Sequence, residues 1–321
     1  MKLKKYLPII GIAIFAYLIY KLDIFNIVNE ILNAKLIFLI LAFLCVILSF
    51  FTTTAKWFAI ARTQKMKIPF MEALKINFMS GFYGFVTPSR IGAIMRVEYL
   101  KRFDNDKFGK SISNYMLEKI IDLGSLLLLV IFSSIIFKNI LSISYLYYAV
   151  AGLALFIFLL AVFSNEKRSK ALLRIFYIKF IPARIKDKMK DGFHSFYEDM
   201  PEKKYFPLFL LLNIFNWIVL YSTFYFIGIS VGINVSFFYF LLFMPITTFI
   251  GQIPITINGL GTREAAMISL FGFLGVPATK IFSMSLINLF MNGIFPSAIG
   301  MFLILRSRGK KSWTENNKPA F

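Results

Sequence analysis

Long apolar runs alternate with short polar stretches along this chain, at 7–20, 36–60, 112–137, 145–163, 207–230 and 279–305. Most of them reach the length of about 20 residues that an α-helix needs to cross a bilayer. They are unbroken, whereas a barrel strand alternates over about ten residues. The pattern therefore predicts an all-α polytopic membrane protein. Two more apolar stretches are interrupted. Ile76 to Val86 runs into Thr87-Pro88-Ser89-Arg90-Ile91-Gly92-Ala93-Ile94-Met95-Arg96-Val97-Glu98. Its apolar part gives about 18 Å of helix against a hydrocarbon core of about 30 Å. The second stretch, 237–257, carries Pro245 and Pro254 and leads into Asn258-Gly259-Leu260-Gly261-Thr262-Arg263-Glu264. Proline and glycine free backbone groups that lipid cannot satisfy. An ionised side chain at the bilayer centre costs roughly 2.5–3.5 kcal/mol. Such segments persist inside protein or beside a wet cavity. They are expected to form two re-entrant hairpins, broken at Pro88, Gly92, Pro254, Gly259 and Gly261, among about six full transmembrane helices.

Charge then orients the chain. The net charge is +20, and the basic residues gather at 62–75, 101–110, 164–206 and beyond 305. Parity of the crossings puts all these loops on one side, which the positive-inside rule makes cytoplasmic. A multi-pass protein of the cell membrane with both termini inside is expected. The basic excess is thus explained by orientation and by anionic headgroups at the cytoplasmic face, not by nucleic acid. A single transmembrane domain is expected over 1–305, with a first half at 23–163, a basic loop at 164–206 and a second half at 207–305. A basic tail follows at 306–321. Residues 23–35 read as a short outer connection, and Lys56-Trp57 as an interfacial anchor. Composition adds 58% hydrophobic residues and a mean hydropathy of +0.72. The lone Cys45 and His194 form no metal-ligand spacing, and no phosphate loop is present, so no cofactor or metal is expected.

The two halves can be laid over each other. Gly92 matches Gly261 at an offset of 169 residues, and Glu118 and Asp122 match Asn288 and Asn292 at 170. Each half has a helix, a broken hairpin, and then a helix with a polar i,i+4 pair on one face. By the charge rule the first hairpin enters from the cytoplasm and the second from outside. That is an inverted-topology repeat. Half-helices starting after Pro88 and near Gly261 would aim backbone N–H groups into the bundle, where they and arginine attract anions. Candidate headgroup-binding residues are Arg90, Arg96, Glu98, Glu118, Asp122, Asn258, Arg263, Glu264, Asn288 and Asn292. The acidic members could instead pair with the arginines, meet a cationic headgroup or carry protons. No residue is singled out as catalytic.

At these residues the chain resembles the lysylphosphatidylglycerol synthase transmembrane region, or flippase-like domain, family. The resemblance runs through Lys56-Trp57, Pro88-Ser89-Arg90-Ile91-Gly92, Arg96 and Glu118-Lys119-Ile120-Ile121-Asp122. It continues through Pro254, Asn258-Gly259-Leu260-Gly261-Thr262-Arg263-Glu264 and Gly275-Val276. It implies movement of a polar lipid, anionic or aminoacylated, between leaflets, without the soluble synthase domain that fused members carry. Two departures stand out. Ala93 occupies a position where the family has an acidic residue. Glu118-Lys119 and Asn288 stand where it has arginine. Membrane lipids are the expected partners. The reading leaves room for a separate lipid-modifying enzyme and for an oligomer. The rival expectations are a membrane transferase acting on a lipid-linked sugar or phosphate, and an accessory scaffold for a separate lipid synthase.

Overall fold

A computed structural model describes residues 7–103, 108–136, 200–252, 256 and 259–316, together with 147, 150–154, 157, 158 and 197. The helices are α1 (Leu7–Leu22), α2 (Ile24–Leu32), α3 (Leu36–Thr63), α4 (Phe70–Val86), α5 (Met95–Lys101), α6 (Phe108–Ile136), α7 (Phe206–Ser230), α8 (Phe237–Gln252), α9 (Thr262–Gly272), α10 (Ala278–Leu289) and α11 (Phe295–Asn316). A 3₁₀ segment, Pro88–Ile94, joins α4 to α5, and a π turn, Phe290–Ile294, joins α10 to α11. No strand occurs among the described residues. Four helices there are long and apolar enough to cross a membrane: Leu36–Thr63, Gly109–Ile136, Phe206–Ser230 and Ala278–Ser307. α1 has 16 residues, about 24 Å of helix. The expected return helix 145–163 lies largely outside the described residues, as do the basic loop 164–206 up to residue 196, His194, Pro254 and Asn258.

Contacts divide the chain into two compact units. One comprises Met1–Thr54, Pro69–Arg96 and Asn216–Phe321; the other comprises Ala55–Ile68 and Val97–Phe215. The division does not follow the two sequence halves, because it cuts through α3 and α7.

The first unit presents apolar surface outward. On α3, Leu36, Ile40, Leu44, Ile47 and Phe51 are all exposed. A ridge of this kind on a helix of spanning length is a lipid-facing surface. Inside, α4 lies against α11. A Cβ on Gly300 would overlap the Phe78 carbonyl, and one on Gly293 would press on the Phe85 ring. Small residues at a crossing let two backbones approach closely, which is how helices gain packing where lipid offers no hydrophobic drive. Phe50 and Phe78 stack with centroids 4.5 Å apart. Further along, α8 and α9 are tied by Phe271, whose ring lies 4.8 Å from Phe240 and 5.3 Å from Phe243. Several polar groups within this unit are matched. Thr52 and Thr53 both donate to Asn216 Oδ1, at 2.7 and 2.9 Å, and Asn77 donates to Thr54 at 3.1 Å.

In the second unit the buried Ile60, Leu117 and Phe209 make one core cluster. Asn114 donates to the Trp57 carbonyl and to Gln64, and Gln64 donates to Ser113.

Three expectations are corrected. Residues 23–35 are not a plain connection. Asp23 caps α2 by accepting from the Phe25 amide, and the Ile27 carbonyl accepts from Ser283 on α10. Trp57 is not an interfacial anchor: it is wholly buried, and Lys56 beside it is buried too. Pro245 does not break its helix. α8 runs through it from Phe237 to Gln252, with Pro245 buried among Phe243, Met244 and Ile246. One lost N–H costs about 3 kcal/mol in an isolated helix, and burial of this apolar segment outweighs it. The proline effect shows instead at Pro296. Its ring would collide with the carbonyl of Asn292, and the chain widens into the π turn just there.

Candidate functional site

The candidate residues fall into three places. The first is the turn after α4. Thr87 Oγ1 donates to the Tyr83 carbonyl at 2.6 Å and accepts from the Gly92 amide at 2.7 Å. The Arg90 amide bonds the Thr87 carbonyl, and Arg90 takes φ 55°, a left-handed conformation. The 3₁₀ segment folds back along α4 so closely that a Cβ on Gly92 would overlap the Tyr83 carbonyl. The chain therefore reverses tightly after α4, and the limb after Pro88 is a 3₁₀ segment, not the α-helix start expected. The Arg90 and Gly92 amides are both taken up by Thr87. Arg90 is exposed and Arg96 is buried. Glu98 pairs with Lys101 at 2.9 Å and is more than half exposed, so it does not enter a buried pocket.

The second place is the turn before α9. Gly259 and Gly261 have φ of 77° and 84°, which glycine adopts freely and which lets the chain reverse. Gly261 is the N-cap of α9, and its amide donates to Glu264 Oε2 at 2.6 Å. The other oxygen of Glu264 accepts from Arg263 at 2.9 Å and from Ser285 on α10 at 2.6 Å. Arg263 also reaches Ser285 at 3.3 Å and lies over the Phe224 ring. Glu264 is thus saturated by its own helix start, by its neighbour and by α10. Its first role is to hold the turn. From Ser285 the same face of α10 continues to Asn288 and, within the π turn, to Asn292, whose amide donates to Asn288 Oδ1 at 2.7 Å. Spacings of three and four keep these side chains in one stripe about 10 Å long. One end meets Arg263 and Glu264. The other adjoins Gly293, which packs on Phe85 near the end of α4.

The third place lies in the other unit. The Lys56 ammonium donates to Asp122 Oδ1 at 2.6 Å and to Asn213 Oδ1 at 2.7 Å, and lies 3.9 Å from Glu118 Oε1. Lys119 approaches the remaining oxygens, 3.3 Å from Asp122 and 4.0 Å from Glu118. Asn213 turns its amide nitrogen to Ser125 and the Ile121 carbonyl. A small recess is lined by Lys56, Ile60, Glu118, Ile121, Asp122, Phe209 and Asn213. Glu118 and Asp122 share a face as their spacing requires. Their partners Lys56 and Asn213 were missed, although Lys56 sits in an apolar run just as Glu118 does. Ser285 and Thr87 were missed too, since a lone hydroxyl leaves no pattern.

Against known proteins, the model of the lysylphosphatidylglycerol synthase TM region matches residues 8–300. The chain belongs to this family. Among relatives of the lysylphosphatidylglycerol synthase TM region family, a UPF0104 membrane protein of Pyrococcus horikoshii is 23% identical over 95% of this chain and 98% of its own. A UPF0104 membrane protein of Methanocaldococcus jannaschii is 24% identical over 94% of this chain and 93% of its own. The resemblance carried by Pro88 to Gly92 and by Gly259 to Glu264 is therefore a family relationship across nearly the whole chain. It agrees with the helices of spanning length: this is a multi-pass membrane protein of that family.

Proposed function

We propose that the protein moves a polar lipid, anionic or aminoacylated, from one leaflet to the other, leaving its bonds unchanged. The headgroup travels along the polar stripe of α10 while the acyl tails stay in lipid. The observation that carries this is the stripe itself. Ser285, Asn288 and Asn292 run in line from the Arg263–Glu264 turn toward the end of α4, on a helix long and apolar enough to span. Amide side chains in apolar surroundings are costly unless they serve packing or passage, and along a spanning helix they mark a pathway. The family relationship supports a lipid as cargo, and the two turns at its ends agree with hairpins of a re-entrant, inverted repeat. Arg263 is the group suited to a phosphate, since its guanidinium presents a fork of donors and remains partly accessible.

The test is leaflet accessibility of labelled anionic, zwitterionic and aminoacylated lipids in proteoliposomes. Wild type is expected to equilibrate at least one of them. Asn288→Leu with Asn292→Leu is expected to slow it by about ten-fold or more, the effect of roughly 1.4 kcal/mol on a barrier. No protein-dependent movement of any polar lipid would overturn the reading.

A further inference from the structure

The short helix α2 presents three different sides. On a helical turn of about 3.6 residues, Ile27 and Ile31 fall on one side, Phe25, Val28 and Leu32 on the next, and Asn26, Asn29 and Asn33 on the third. The first side is packed: Ile27 is 2% exposed, and its carbonyl accepts from Ser283 on α10 at 3.2 Å. The second side is apolar and open, with Phe25 80% and Leu32 78% exposed and Val28 between them. The third side is polar and open. A helix bathed in water gains nothing from the second side, and a helix crossing the hydrocarbon core could not keep the third. The flanking chain fixes its level. Before it, α1 ends with exposed Tyr17 and Tyr20 and with Lys21 over the Tyr17 ring. Tyrosine and lysine at the end of an apolar helix mark the headgroup layer. Asp23 then takes φ 61° and caps α2 at once, so a new helix starts one residue after the old one stops. After it, the lipid-facing ridge of α3 begins at Leu36, one turn past Leu32. The apolar side of α2 leads directly into that ridge.

We infer that α2 is an interfacial helix, lying in the headgroup layer of the leaflet that loop charge assigns to the outside. Phe25, Val28 and Leu32 sit among acyl chains, and the three asparagines face water. The occupant of the apolar side is therefore the lipid bilayer, as it is for α3. The packed side of α2 rests on the first turns of α10, where Ser283 bonds the Ile27 carbonyl and the Phe282 ring lies 5.2 Å from Phe15 of α1. Ser285, where the polar stripe begins, follows Ser283 by about 3 Å along the axis. α2 thus holds that end of the stripe at the level of the headgroups, where a polar lipid enters or leaves it. This inference deepens the translocation reading and rests on it for what the stripe carries. The depth of α2 is measured without any lipid movement, so the two fail separately.

The measurement is the collision of spin labels with oxygen, which concentrates in lipid, and with a neutral nickel chelate, which stays in water. The full chain carrying Cys45→Ser is placed in vesicles of phosphatidylcholine and phosphatidylglycerol, with one labelled cysteine at a time. Phe25→Cys, Val28→Cys and Leu32→Cys are expected to favour oxygen, all to a similar extent, and Asn26→Cys and Asn29→Cys to favour nickel. All five positions are exposed, so no label displaces a packed side chain. Nickel preference at Phe25→Cys and Leu32→Cys overturns the lipid-facing side. A steady change in oxygen preference from residue 25 to residue 32 overturns the placement along the interface, because the helix would then descend into the core. Exclusion of both reagents, with spin–spin broadening that unlabelled protein relieves, puts a second copy on the apolar side and overturns lipid as its occupant. In proteoliposomes whose wild type moves lipid, Phe25→Asn with Leu32→Asn is expected to slow that movement several-fold, and Asn26→Ser to leave it unchanged. Phe25→Asn alone gives the same direction should the double variant fail to fold. A folded variant that moves lipid at the wild-type rate overturns the link from α2 to the stripe.

Discussion

Glu264 shows how far a single residue can be read in advance. Its position after Gly261 and Arg263 in apolar sequence marks it as costly and therefore paired, and it is paired. What the sequence could not disclose is that Ser285, 21 residues away, completes its shell. A long-range partner depends on how α9 and α10 pack, and no local pattern encodes that. Replacing Glu264 with Gln leaves Arg263 without its anion in a site where Glu264 is 1% exposed. Removal of one member of a buried pair typically costs about 3–5 kcal/mol. Ser285→Ala removes one hydrogen bond to a charged group, about 1.5–3 kcal/mol. Denaturant unfolding in micelles should rank them in that order, and a Glu264→Gln variant within about 0.5 kcal/mol of wild type would show that the turn does not depend on the pair. Lys56 teaches the complementary lesson. Its neighbour Trp57 made it look interfacial, yet Asp122 and Asn213 hold it inside.

Elements were easier to foresee than their ends. The long helices follow from uninterrupted apolar runs, and α9 starts where Gly261 permits the chain to turn. The limb after Pro88 was harder, because 3₁₀ and α geometry share nearly the same apolar spacing, and Thr87 decides between them by occupying the Gly92 amide. Likewise, Pro245 and Pro296 look equivalent in sequence, but only the second coincides with a change of helix type. At the α4–α11 crossing the decisive contact is Gly300 on the Phe78 carbonyl. Gly300→Ala must force the helices apart, and overpacking of this kind costs about 1–3 kcal/mol. Gly81→Ala on α4 provides the control, since no atom lies within 4 Å of the added Cβ. There the better helix propensity of alanine should leave stability unchanged or raise it by up to about 1 kcal/mol. Thermal melts of both variants check this, and equal losses would mean that glycine matters on α4 for flexibility and not for contact.

At the scale of the whole molecule, sidedness can be tested against contacts that charge alone could not provide. The positive-inside reading puts residues 23–35, 231–236 and the start of α10 outside. In the first unit these pieces meet one another. The Lys35 amide bonds the Ser230 carbonyl at 2.9 Å, Lys280 reaches the Gly232 carbonyl at 3.3 Å, and Ser283 bonds the Ile27 carbonyl. Three connections assigned to one side by loop charge thus come together at one end of the bundle, although none of the three contacts involves an ion pair. The number of crossings was less accessible, since apolar length alone admits both a short span and a hairpin limb for a helix such as α4. Cys45 is the single cysteine, so Cys45→Ser gives a clean background for labelling. On that background, cysteines introduced at Asn33 and Asn234, both exposed, should react with a membrane-impermeant maleimide added to intact cells. Cysteines at Arg102 and Arg306, also exposed, should react only after the membrane is opened. The converse pattern would invert the topology while keeping the packing. A split between Asn33 and Asn234 would be graver, because the bond from Lys35 to Ser230 requires the start of α3 and the end of α7 to share a side.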